Sequence, residues 1–300
     1  MPDNPQGAPA HAAMAAHAHW NALPGHRVIT LDGADAVAFA QAQTMNDVGA
    51  LADGHWQWNG WLNPKGRVIA LFALLRFSTA SVWLVVADAD AVALAAGLRR
   101  FVFRSKVAIA LREDLQVAGR FALPAQARGA ALSREGEPVE LDMGGDGGPR
   151  VMRIAPAGVL ASDSAATLPV GARCEQDWAA FDLAHGWPRL GEAQFEAWTP
   201  QQLSLERLRA YSVRKGCYPG QEIVARTHFL GKAKRGLVRL RCTRAVELDE
   251  VMAGDSRPVG QFVAAAGDEG LAVMPIDAEG PFTSDGAACE VLSLMDGLAR

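Results

Sequence analysis

The stretch Lys215-Gly216-Cys217-Tyr218-Pro219-Gly220-Gln221-Glu222-Ile223-Val224-Ala225-Arg226-Thr227 carries the densest chemical information in this chain. It reads as a sharp loop feeding a helix. Gly216 supplies unusual backbone angles, and Pro219 suits a first helical position because its missing N–H costs nothing there. Cys217 is then expected just ahead of a helix N-terminus, with Lys215 two residues away, a setting that eases thiolate formation. A small buried thiol in a tight loop explains the same spacing.

The charge pattern around this stretch is lopsided. From Ser204 to Arg244 eleven Lys or Arg stand against Glu206 and Glu222, so a segment of net +9 sits in a chain of net −4 and the remainder carries −13. Such a segment draws an anionic ligand or partner, although a solvated basic strand face, with Arg239 and Arg241 alternating, has the same composition.

Three hundred residues, half of them apolar, bury a large core and predict two or three domains. The longest apolar runs, Val68–Leu75 and Val82–Ala87, have the length of buried strands and are too short for a membrane span. The N-terminus lacks a charged segment followed by an apolar one, so a cytoplasmic location is expected. Cys174, Cys217, Cys242 and Cys289 include no C-x-x-C pair and are expected as reduced thiols. His11, His17 and His19 lie in an Ala/His-rich leader, residues 1–24, that reads as disordered and not as a metal site.

In chain order, Arg27–Leu31 predicts a strand and Ala34–Asn46 a helix. Trp56 and Trp58 share one strand face, Asn63-Pro64-Lys65-Gly66 forms a turn, and Arg67–Phe77 returns as a strand. Ser81–Ala87 and Lys106–Leu111 are strands around a helix capped by Asp88. The Arg99–Lys106 stretch interleaves charge with Phe101 and Phe103, as either an RNA contact or a basic helix end. A Gly-rich turn at 144–148 precedes a helix at Glu175–His185, and short alternating segments beyond residue 231 predict a small β-barrel. The boundaries read as 25–112, 113–230 and 231–300.

These residues resemble the YgfZ family, folate-binding relatives of the aminomethyltransferase T-proteins. The signature above is the strongest match. Gly33-Ala34-Asp35 to Gln43, Asn46-Asp47-Val48, Asn63-Pro64-Lys65-Gly66-Arg67, Phe103-Arg104-Ser105-Lys106-Val107, Trp178 to Gly186-x-Pro188 and Pro200-Gln201 follow the same order. The resemblance implies an α+β aminomethyltransferase-like fold, with two split ferredoxin-like units around a central pocket and a C-terminal β-barrel. It implies a tetrahydrofolate-binding accessory protein for assembly or repair of iron–sulfur enzymes, including tRNA-thiomethylating clients. Cys217 would be the functional thiol with Lys215 beside it. Trp178, Asp182, Tyr218, Gly220, Gln221, Glu222 and Arg226 would hold the folate, Arg226 clamping its glutamate carboxylates, polyglutamyl tails included. Three positions depart from the transferases. The catalytic Asp pair is replaced by Ala70 and Leu71, the pterin-binding Glu by Ala184, with Asp182 as its stand-in, and a pocket tryptophan by His26. Ordinary aminomethyl transfer is therefore not expected. A one-carbon transferase with another donor and a tRNA-binding module remain the alternatives.

Overall fold

The computed structural model describes residues 20–133, 138–162, 172–231, 233–254 and 256–300; His11, His17 and His19 lie outside them. Fifteen strands and five α-helices among these residues form two open sheets and a closed barrel.

The first sheet has the order β3-β4-β5-β2-β6, from β2 (His26–Asp32), β3 (His55–Leu62), β4 (Val68–Ser78), β5 (Ser81–Ala87) and β6 (Ala108–Leu111). Its side chains sort by the period of two. Ala70, Phe72 and Leu74 face the helices α1 (Ala36–Gln43) and α2 (Ala91–Arg99), whereas Leu71, Ala73 and Leu75 face the centre of the molecule with Trp56 and Trp58. Both α1 and α2 differ from expectation at their starts. Asp90, not Asp88, caps α2 by accepting from the Ala93 N–H at 2.9 Å. Asp88 instead takes a left-handed conformation and pairs with Arg189.

The second sheet, β1-β7-β9-β8, joins β1 (Asn21–Ala22) to β7 (Leu115–Arg120), β8 (Val139–Asp142) and β9 (Val151–Pro156). Residues 20–22 therefore correct the reading of a leader through residue 24. Asn21 and Ala22 pair with Gly119 and Ala118, and Trp20 is buried with the guanidinium groups of Arg120 and Arg153 over its ring. Helices α3 (Ala157–Ser162) and α4 (Ala172–Ala184) follow β9. Trp178 of α4 lies over Gly119, where a Cβ would stand 2.5 Å from the indole.

The barrel runs β10-β13-β12-β11-β14-β15, from β10 (Arg235–Cys242), β11 (Glu250–Ala253), β12 (Pro258–Ala266), β13 (Glu269–Pro275), β14 (Phe282–Ser284) and β15 (Ala287–Leu292). Closure removes its edges. Register sets Cys242 opposite Cys289 on β10 and β15, and the two form a disulfide. That corrects the expectation of four reduced thiols: spacing along the chain carries no sign of a pairing that register creates.

One core cluster joins the three units. Trp56 and Trp58 of the first sheet, Met152 and Ile154 of the second and Val263 and Val273 of the barrel belong to it, each large side chain contributing about 2 kcal/mol on burial. Residues 293–300 leave the barrel and strap these units together. The Met295 N–H donates to Ala184 O at 2.8 Å, the Asp146 N–H to Asp296 O at 2.9 Å and the Trp58 indole N–H to Leu298 O at 2.8 Å, while Arg300 donates to Asp142 O and Gly144 O at 2.8 and 2.9 Å.

Candidate functional site

The signature loop is pinned on both sides of Cys217. Before it, the Lys215 ammonium is buried and donates to the carbonyls of Gln41, Thr44 and Asn46, the last at 3.1 Å. Thr44 is the C-cap of α1, so a cation closes the negative end of that helix. Burial pushes the amine down to about 8, and the charge of Asp47 opposes that shift. The Tyr218 ring lies 4.8 Å from Nζ, its hydroxyl donates to Ser212 O at 3.2 Å, and Gln221 Nε2 donates to Lys215 O at 3.1 Å.

After Cys217 the loop meets the Asn63–Gly66 turn backbone to backbone. Gly220 has φ 80° and Gly66 φ 70°. A Cβ on Gly220 would fall 2.6 Å from Asn63 O, and one on Gly66 would fall 2.8 Å from Ile223 Cβ. Both positions demand glycine on two counts, conformation and space. Helix α5 (Gln221–Leu230) starts there with Gly220 as N-cap.

Four readings of the sequence change accordingly. The left-handed residue is Gly220, not Gly216, and Pro219 precedes the N-cap instead of opening the helix. Cys217 stands four residues ahead of the first helical residue. The Lys215 ammonium, expected beside the thiol, donates to backbone carbonyls. Cys217 itself is exposed, as are Glu222 and Arg226 on α5.

Pro219 reaches a cavity of about 1040 Å³ on the helix side of the first sheet. Trp61, Leu62, Ile69, Ala70, Leu94 and Phe101 supply its apolar walls, and Asp88, Asp90, Glu192, Glu196 and Arg100 its charges. Gly97 of α2 makes room for Trp61, since a Cβ there would lie 2.8 Å from the indole. Phe101 meets Trp61 edge-on at 6.0 Å. Trp61 is 7 % exposed, and its indole N–H has no acceptor among the described residues. Asp88 is held by Arg189 and Asp90 by its capping bond, whereas Glu192 and Glu196 have no ion pair among the described residues. Ala70, at one of the two replaced carboxylate positions, lines this cavity, and Leu71 faces the central core on the other side of the sheet.

The residues read as pterin ligands are elsewhere and already engaged. Trp178 is fully buried, with the Arg150 guanidinium 4.2 Å from its ring centre. Asp182 accepts from Arg150 Nη2 at 2.7 Å and lies 4.0 Å from Arg189. His26 is buried, with Arg189 and Arg150 among the charges acting on it. None of the three lines the cavity, and neither does Arg226. Sequence reasoning missed Arg150. The one available signal was an arginine heading the apolar run Val151-Met152. It also missed Trp61 and Phe101 as partners, because they stand on different elements.

Among the described residues no cluster of His, Cys, Asp or Glu is arranged to hold a metal, and no helix is long and apolar enough to cross a membrane.

No family model matches the chain. It is similar over most of its length to curated proteins named tRNA-modifying protein YgfZ. The relative from Vibrio vulnificus is 28 % identical over 272 residues, covering 84 % of this chain and 82 % of the relative. That from Klebsiella pneumoniae is 28 % identical over 253 residues, covering 79 % and 77 %. The fold matches the crystal structure of glycine cleavage system aminomethyltransferase T from Bartonella henselae with a TM-score of 0.71 at 16 % identity, over 95 % of this chain and 88 % of that one. Sequence similarity and fold agree: the chain is similar to the YgfZ proteins over most of its length and has the aminomethyltransferase T fold.

Proposed function

We propose that this protein is a tetrahydrofolate-binding accessory protein of tRNA modification that supports iron–sulfur enzymes, with Cys217 as its working thiol. The observation that carries the reading is the exposed Cys217 on a loop fixed by Lys215 and Gly220, two residues from Pro219 on a cavity wall. Attachments on both sides of Cys217 limit the conformations the loop can take, so little conformational entropy is lost in presenting the thiol. The name of the YgfZ relatives supports the tRNA connection, and the transferase fold supports a folate.

The cavity's chemistry fits a folate better than the Trp178 side does. Trp61 and Phe101 give flat walls, and Glu192 and Glu196 offer acceptors to the adjacent N–H donors of a pterin. The unpartnered Trp61 N–H offers a donor to its oxo group. Arg100, the one cation lining the cavity among the described residues, takes over the carboxylate contact read for Arg226. Bound tetrahydrofolate would supply a carrier for one-carbon units or a reduced ring able to give up electrons. With Ala70 on the wall no carboxylate replaces the transferases' Asp pair at that point, which weighs against the one-carbon transferase reading.

Titration of tetrahydrofolate into the protein and into Trp61→Phe, followed by tryptophan fluorescence and calorimetry, tests the cofactor. Saturable binding weakened about tenfold by the substitution is expected, and absence of binding overturns the folate reading. Cys217→Ser is expected to abolish support of a tRNA-thiomethylating iron–sulfur enzyme with the fold intact, and full support by the variant removes the thiol from the reading.

Direct tRNA contact is the second reading. Arg214 and Arg226 are exposed on either side of Cys217 in sequence, and Phe229 and Leu230 at the end of α5 are 66 % and 85 % exposed. It predicts tRNA affinity that falls steeply with salt; no binding at low salt sinks it.

A further inference from the structure

We propose that the loop 100–107, between α2 and β6, is a docking surface for an unpaired stretch of RNA, with Phe103 as its stacking platform and Arg104 and Lys106 as its phosphate contacts. The proposal deepens the tRNA reading above and rests on it. Phe103 is 85 % exposed, and Phe101, itself exposed, stands two residues away on the wall of the cavity. Arg99, Arg100, Arg104 and Lys106 fall within eight residues, and no acid occurs from Ala91 to Arg112. Arg99 Nε donates to Ile109 O at 2.9 Å. The side chains of Arg100, Arg104 and Lys106 have neither a hydrogen bond nor an ion pair among the described residues. A flat apolar ring held in water beside unpaired cations matches a nucleotide, whose base stacks and whose phosphate is neutralised. A duplex hides its base faces, so the exposed ring selects unpaired RNA.

Both ends of the loop are tied down, which fixes how the ring is presented. At its start the Arg100 and Phe101 N–H groups donate to Gly97 O and Leu98 O at 3.2 and 3.0 Å, and the Val102 N–H to Arg99 O at 3.1 Å. At its far end the Lys106 N–H donates to Asp35 Oδ2 at 2.7 Å, and the Asp35 N–H returns a bond to Lys106 O at 3.2 Å. Gly33, at φ 144°, permits that approach, since a Cβ there would fall 2.1 Å from Lys106 O. Phe101 turns inward and meets Trp61, whereas Phe103 has no ring partner among the described residues. Electrostatics then sets the path of the strand. Asp88, Asp90, Glu192 and Glu196 line the cavity beside Phe101 and repel phosphates, while Arg104 and Lys106 stand outside it and attract them.

Fluorescence anisotropy of the full chain with a labelled single-stranded oligouridine of about twelve nucleotides, and with an RNA duplex of the same length, tests the surface at low salt. Saturable binding of the single strand, about tenfold tighter than of the duplex, is expected. Phe103→Ala is expected to weaken it about tenfold, the share of one stacked base, and Phe103→Trp to preserve it. Arg104→Gln and Lys106→Gln should each flatten the dependence of log affinity on log salt by about 0.7. All three side chains are exposed, so unchanged melting temperatures accompany these losses. Wild-type affinity in Phe103→Ala, or equal binding of duplex and single strand, means attraction by charge alone, as an acidic protein surface would also show, and overturns the proposal. If Arg226→Gln then weakens binding where Phe103→Ala does not, the tRNA reading survives with its contact on α5. Absence of binding to either RNA overturns both. The readout involves neither folate nor the thiol.

Discussion

Gly220 and Gly66 meet so closely that a Cβ on the first would lie 2.7 Å from the Cα of the second, with Asn63 O at 2.6 Å on the same side. The two glycines join the signature loop to the first sheet's hairpin turn without any intervening side chain. Gly220→Ala combines a left-handed φ with a backbone clash, and it is expected to cost about 2 kcal/mol or more. Denaturant unfolding measures the loss. Unchanged stability would mean the turns separate easily.

Lys215 makes the complementary attachment. Lys215→Met leaves three buried carbonyls short of a donor, with an expected loss of about 2 kcal/mol. Lys215→Arg, too long and planar for the same three oxygens, is expected to restore only part of it. Hydrogen exchange of residues 212–220 should rise in the Met variant, and protection equal to wild type would remove Lys215 as the loop's anchor.

Thiol counting separates the cysteines. Cys217 is exposed and should react first with a colorimetric disulfide reagent. Cys174 is buried and pushed up to about 11, by burial first and then by Asp177 and Glu175, so it should react only on unfolding. Two further thiols should appear only after reduction of Cys242–Cys289. Four thiols without reductant would contradict the barrel pairing.

Stability should fall on the acid side of about pH 6.5. Burial first, then Arg189, Arg150 and Arg27, holds the His26 pKa well below its ordinary 6.5, and burial lowers that of His185 as well. Below 6.5 the unfolded chain takes up protons that the folded chain refuses. The contribution is therefore complete above 6.5 and is lost as pH falls toward the folded values, by up to about 1.4 kcal/mol per unit for each histidine. Unfolding curves from pH 7.5 to 5 with His26→Gln should show a flatter slope than the parent. Equal slopes would clear His26 of the effect.

Much of this architecture was legible in the sequence because it is written locally. Period-two alternation marked β4 and β5, the Pro and Gly placement marked the 63–66 turn, and short alternating segments marked the barrel. The site was less legible because its decisive partners are remote. Lys215 sits two residues from Cys217 yet spends its charge on carbonyls 169 to 174 positions away. Trp178 and Asp182, one helical turn apart, look the same whether a ligand or an arginine lies between them. Only the delivery of Arg150 from β9's approach distinguishes the two cases. Cys242 and Cys289 meet through barrel register, which no spacing rule carries.

The strap also has a meaning in time. The Trp58 indole N–H bonds Leu298 O across 240 positions, and Arg300 reaches Gly144 across 156. Contacts of such separation form late, after the loops between them have closed. The central seam between the two sheets therefore cannot be sealed during synthesis until residues 295–300 have emerged. Until then Trp58 lacks its acceptor and the glycine turn lacks its clamp, so the seam closes only once the strap is in place.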